Sequence, residues 1–140
     1  MKKRFIAYSV LAIAAAFVVS GCGNSHIGAY KSAISDLVDA KEKFISQASS
    51  ASNAQALADA TKSFGESIDK FVAARTDLFM KYPQLTDRAP FPEAITKILE
   101  QSSKLDEKID SVIIPAIEKF PGDAGVMAAW EALNRKRASL

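Results

Sequence analysis

Apolar residues recur at alternating steps of three and four through three long segments of the chain, and this spacing predicts amphipathic helices. The segments run from Ile27 to Ala48, from Leu57 to Tyr82 and from Ile95 to Phe120. A shorter segment from Val126 to Leu133 follows Pro121-Gly122, which ends the third. The pattern therefore predicts an all-α fold: an antiparallel up-down-up three-helix bundle with a short fourth C-terminal helix.

The ends of these segments carry residues that favour helix boundaries. Ser52 and Gln55 have the spacing of a capping box before the second helix. Asp123 is a suitable N-cap for the fourth. Inside the second helix, Gly65 costs about 0.5–1 kcal/mol relative to alanine and indicates close approach of a neighbouring helix. Lys41 is the one polar interruption on the apolar face of the first helix.

The amino-terminal segment follows a different pattern. Met1-Lys2-Lys3-Arg4 is cationic, and the apolar stretch from Phe5 to Val19 is interrupted only by Tyr8 and Ser9. A helix of this length spans about 22 Å, short of the ~30 Å hydrocarbon core of a bilayer. A positive start, a short apolar region and a small-residue exit are typical of a secretory signal peptide. We expect a signal peptide over residues 1–21, a tether over 22–26 and a helical domain over 27–140.

Val19-Ser20-Gly21-Cys22 closes this leader with the single cysteine of the chain. The tetrapeptide resembles the lipobox of bacterial lipoproteins, in which an aliphatic residue, a small residue and Gly or Ala precede a cysteine. The resemblance implies cleavage before Cys22, a diacylglycerol on its thiol and an acyl chain on the new amino terminus. In that family an Asp after the cysteine retains the protein in the inner membrane, so Gly23 favours the outer membrane. The alternatives are an ordinary secreted protein and an uncleaved anchor.

The net charge of the chain and the residue types it contains exclude several classes of function. The formal charge is +2, and removal of the leader's three cations leaves 15 basic against 16 acidic side chains. Such a near-neutral domain lacks the concentrated Lys and Arg that nucleic-acid binding requires. His26 is the single histidine and falls in the tether, and no Glu-x-x-His pair for a di-iron site occurs. We therefore expect no enzyme activity, no cofactor, no metal and no nucleic-acid partner.

Three features of the helical domain are candidates for binding. Pro115 lies inside the third helix, where its missing N–H predicts a kink that either wraps the helix around the core or opens a site for a small apolar ligand. Met80 and Trp130 are either core and cap residues or anchors for a protein partner. The run Arg135-Lys136-Arg137 complements the helix dipole or contacts an acidic partner or anionic lipid.

These observations favour a protein that acts by contact. The sequence predicts a non-enzymatic lipoprotein of the bacterial cell envelope, attached to the membrane through Cys22 and bound to a periplasmic or envelope protein in an accessory, inhibitory or protective role. The alternative is a carrier or sensor of a small apolar ligand held between helices near Pro115.

Overall fold

The computed structural model describes residues 25–85 and 91–140, and within these ranges the chain is helical with no strand. The predicted all-α class is confirmed, as are four helical segments close to the predicted positions. The helices are α1 (Ser25–Ser50), α2 (Ala54–Lys81), α3 (Glu93–Glu118) and α4 (Ala124–Arg137), and a short 3-10 turn (Pro83–Leu85) follows α2.

The four helices pack together around one apolar core. α1 packs against both α2 and α3, and α4 packs against α2. Between α1 and α2 the Phe44 and Phe64 rings stack with their centroids 4.8 Å apart. Full burial of such a side chain contributes roughly 1.5–3 kcal/mol. Every helix contributes to this core, including Ile34, Leu57, Ile68, Ile95, Ile109, Ile113 and Leu133.

The cap of α2 differs from the predicted one. Asn53, rather than Ser52, is the N-cap, and its side-chain oxygen accepts a hydrogen bond of 2.8 Å from the backbone N–H of Ala56. Gln55 does not reach back to the cap but donates to Asp59 one turn further on, at 2.8 Å. The predicted capping box was therefore wrong. Ser and Asn are about equally good N-caps, so residue type does not distinguish Ser52 from Asn53. The local backbone geometry determines which of the two caps the helix.

Other boundary predictions are confirmed. Asp123 caps α4 by accepting from the Val126 N–H at 2.9 Å. Gly65 is buried, and a Cβ added there would lie 3.3 Å from Cδ of Lys136 on α4, so the glycine does mark a close approach. α1 begins at Ser25, two residues before the predicted start. His26, expected in the tether, consequently lies in the first helical turn.

Candidate functional site

The most unusual side chain in the core is Lys41, which is 2% exposed. Its ammonium lies between α1 and α3 and donates to three acceptors: the Ser102 carbonyl oxygen at 3.1 Å, Ser102 Oγ at 2.8 Å and Asp106 Oδ2 at 2.7 Å. The two α3 residues are four apart, so they share one face of the helix. Lys41, Ser102 and Asp106 therefore form a buried polar cluster inside an otherwise apolar seam.

A lysine beside a serine raises the question of nucleophilic catalysis, in which the amine acts as the base that activates the hydroxyl. The geometry of this cluster argues against that role. A lysine ammonium has three N–H donors and no lone pair, and all three donors of Lys41 are engaged. Ser102 Oγ accepts from Lys41 and is itself buried within α3. The cluster serves as a cross-link between two helices.

Water reaches one edge of this cross-link. The Asp106 side chain is 41% exposed, whereas Lys41 is enclosed. A buried ion pair adds little net stability, because the loss of hydration offsets the attraction. The contacts of Lys41 place it opposite Ser102 and Asp106 across the α1–α3 interface.

The sequence marks Lys41 as a polar interruption on the apolar face of α1 but does not identify its partners. The signal was present: a lysine on an apolar face requires acceptors on the facing helix. Ser102 and Asp106 interrupt the apolar pattern of α3 between Leu99 and Ile109. The periodicity gives each helix a face but does not say which faces meet, so the pairing could not be assigned.

Cys22, the predicted lipidation site, lies outside the residues that the structure describes. Among those residues no helix is both long enough and apolar enough to cross a bilayer. The described ranges likewise contain no group of three or more His, Cys, Asp or Glu side chains placed to hold a metal ion.

Met80 and Trp130, the candidate anchors, lie on different parts of the molecule. Met80 is 72% exposed near the end of α2. Trp130 is partly buried against the core, on the stretch of α4 that meets α2 around Gly65. At 1.5 Å per residue, Gly65 and Met80 are about 22 Å apart along α2. The two side chains therefore do not form one surface.

Two of the three cations near the end of α4 are used inside the molecule. Lys136 pairs with Asp69 on α2, and Arg137 Nη1 lies 2.7 Å from Asp110 Oδ1 on α3. Arg135 is exposed and has no ion-pair partner among the described residues. A further contact holds the chain beyond α4, where Arg75 donates to the Ser139 carbonyl at 2.7 Å. The basic run thus attaches α4 to its neighbours.

Pro115 lies on the outer face of α3. Its side chain and that of Ile114 are exposed, whereas Ile113 and Ala116 are buried. The helix continues past the proline to Glu118. A groove of about 290 Å³ lies elsewhere, between α1 and α2, lined in part by Leu37 and Phe71. The ligand site near Pro115 stays a prediction.

Comparison of the chain with protein-family models, with curated proteins and with solved structures found no match.

Proposed function

We propose that the protein is a lipid-anchored lipoprotein of the bacterial cell envelope, held on the periplasmic face of the outer membrane. The observation that carries the proposal is the lipobox-like Val19-Ser20-Gly21-Cys22, which follows a cationic start and a short apolar region in the order of a lipoprotein leader. A single membrane-buried chain binds only marginally, and several acyl chains on one residue provide stable attachment.

The domain behind the lipid is proposed to act through protein contact. In support, the cluster around Lys41, which combines a lysine, a serine and an aspartate, has all its ammonium donors occupied by structural partners. On the described surface Arg135 offers a cation without an ion-pair partner, and Trp130 is partly exposed on the same helix. Accessory, inhibitory and protective roles toward an envelope protein all fit such a surface.

We also infer that the three long helices run up-down-up and that α4 reverses direction once more. In the contacts between α1 and α2, later residues of α1 meet earlier residues of α2, which supports an antiparallel pair. In the contacts of α1 with α3 and the residues just before it, later residues meet later residues, which supports a parallel pair. The supporting contacts are Phe44–Phe64 and Tyr30–Phe79 for the first pair of helices, and Tyr30–Phe91 and Lys41–Ser102 for the second.

Membrane fractionation tests the anchor. The Cys22→Ser variant should lose acylation and leave the membrane fraction, whereas the wild-type protein should stay there through a high-salt wash. A Cys22→Ser protein that remained membrane-bound after that wash would contradict the lipid anchor.

Cross-linking in whole cells tests the contact role. A photoreactive amino acid placed at Trp130 or Arg135 should capture a reproducible envelope protein, identified by mass spectrometry. The same residue at Lys104, an exposed position on α3, serves as the control. If neither position yields a protein above that control, the protein does not act by the proposed contact.

A further inference from the structure

Three helix ends meet where α1 begins, and they form an aromatic cluster. The His26 ring stacks on Tyr82 with the centroids 4.9 Å apart. One turn further along α1, the Tyr30 ring lies 5.9 Å from Phe79 and 5.4 Å from Phe91. The start of α1, the end of α2 and the start of α3 are therefore fixed together at one end of the bundle.

This end presents a three-residue segment that suits a membrane interface. Met80, Lys81 and Tyr82 follow one another at the end of α2; Met80 is 72% exposed, Lys81 is exposed and Tyr82 is partly buried. A flexible apolar side chain can enter the lipid, a lysine extends its ammonium toward the headgroups, and a tyrosine prefers the boundary between them. Lys81 is only loosely paired, 4.0 Å from Asp77.

The proposed lipid attachment lies next to this same end. Cys22 precedes Ser25, the first residue of α1, by three positions. At most ~3.3–3.6 Å per residue, the lipid-bearing residue is within about 11 Å of the start of α1. A lipid on Cys22 would therefore hold the cluster around His26 and Tyr82 close to the bilayer.

We propose that this end of the bundle docks on the phospholipid surface and that Met80 is its second contact with the membrane. The proposal rests on the proposed lipidation of Cys22, since the lipid determines which end faces the bilayer. Several acyl chains on Cys22 already provide stable attachment, so the contribution of a second apolar contact is to orientation. Contact at Met80 holds the start of α1 against the bilayer and leaves the far end of the bundle directed toward the periplasm.

Exposed apolar residues at the far end provide a matched control. Ile114 is 56% exposed on α3 and lies about 30 Å along that helix from its first residue, Glu93, at 1.5 Å per residue. Its exposure and apolar character resemble those of Met80, but it is remote from the start of α1. If exposure alone determined membrane contact, both positions would contact lipid. The proposed orientation predicts contact at position 80 only.

The test uses the full chain purified from membranes with Cys22 acylated, which leaves no other thiol. Met80→Cys and Ile114→Cys are each labelled with an environment-sensitive fluorophore and reconstituted into vesicles of phosphatidylethanolamine and phosphatidylglycerol. We expect the label at position 80 to shift to shorter wavelength and to be quenched by brominated acyl chains. The label at position 114 should show neither effect.

Three results would overturn the proposal in distinguishable ways. If intact mass shows acylated Cys22 but the two labels behave alike, the docking surface is wrong and the lipoprotein assignment stands. If Cys22 carries no lipid, the docking surface and the lipoprotein assignment are both wrong. A position-80 label that is shielded in cells but not in vesicles would assign Met80 to a protein partner and also contradict the membrane contact. Circular dichroism of both variants, whose substitutions are on the surface, checks that the fold is retained.

Discussion

We expect Lys41 to favour the α1–α3 register seen in the structure over registers shifted by a turn. The hydrophobic effect has no direction, so it discriminates little between registers that bury a similar apolar area. An enclosed ammonium does not permit that shift, because it needs its three acceptors in place. The cluster with Ser102 and Asp106 therefore makes the native α1–α3 register the one in which the charge is satisfied.

Substitutions in this cluster should have unequal effects. Asp106→Asn leaves an enclosed ammonium without its counter-charge, and we expect a loss of about 2 kcal/mol, below the ~3–5 kcal/mol of fully buried pairs because water reaches Asp106. Lys41→Met removes the charge and keeps the length of the side chain, so its effect should stay within about 1 kcal/mol. Urea unfolding followed by circular dichroism measures both. A larger loss for Lys41→Met than for Asp106→Asn would contradict the structural role.

The α2 cap gives a prediction with its control one residue away. Asn53→Ala should destabilise the protein by about 1 kcal/mol, because the Ala56 N–H loses its acceptor. Ser52→Ala should change the free energy of unfolding by less than half as much. Equal losses of stability for the two variants would contradict Asn53 as the N-cap and support the capping box of Ser52 and Gln55.

Ionisation of Tyr30 should lower the free energy of unfolding at high pH. Burial raises the pKa of its hydroxyl above the ordinary value of 10, and the charge of Arg75 partly opposes this. The unfolded chain then loses the proton at a lower pH than the folded chain. The stability linked to Tyr30 is complete below the unfolded pKa and falls as pH rises through the folded one.

Tyr30→Phe should remove this component. Its free energy of unfolding should match the wild type near neutral pH and fall less between about pH 9 and 11, where a tyrosine ionises. Urea unfolding at several pH values compares the two proteins. Parallel pH profiles across that interval would show that Tyr30 does not titrate differently in the folded state.

At the scale of elements, α4 depends on its neighbours for attachment. It has 14 residues, a length at which an isolated helix is marginal in water. Its buried side chains pack toward α2, and Lys136 and Arg137 attach its last turn to both α2 and α3. The short helix is thus held by packing along one side and by ion pairs at one end.

Substitutions of Arg135 and Arg137 distinguish the effect of the ion pair from that of the helix dipole. Both residues lie in the last turn of α4, so the dipole acts on both alike. Arg137→Ala removes a half-buried ion pair with Asp110 and should cost about 0.5–1 kcal/mol. Arg135→Ala removes an exposed cation with no described partner and should change stability by less than about 0.5 kcal/mol. Equal effects, measured by thermal unfolding, would assign both to the dipole.

The helices themselves were predictable because periodicity, prolines and caps act locally. The stops at Pro83 and Pro121 and the cap at Asp123 depend on residues close in sequence. The partners of Lys41 and Arg137 are distant in the chain, and a helix face does not identify the helix that covers it. The choice between Ser52 and Asn53 depends on backbone geometry at a single peptide, which residue type alone does not determine.

For the whole molecule, the proposed lipid gives the bundle a direction. α1 starts three residues after Cys22, so the proposed lipid would hold one end of the bundle at the membrane and direct the other away from it. Its 26 residues span about 39 Å at 1.5 Å per residue, which is the distance over which the domain would extend from the surface if it stands upright. A partner would therefore be met within a narrow layer next to the membrane.

The mass of the mature protein tests the central claim most directly. The chain should be purified in detergent from the bacterial membrane and measured intact, with its amino-terminal peptide fragmented. We predict a protein that begins at Cys22 and carries a diacylglycerol on the thiol and an acyl chain on the amino group. A mature chain that begins elsewhere, or that begins at Cys22 with a free thiol, would contradict the account.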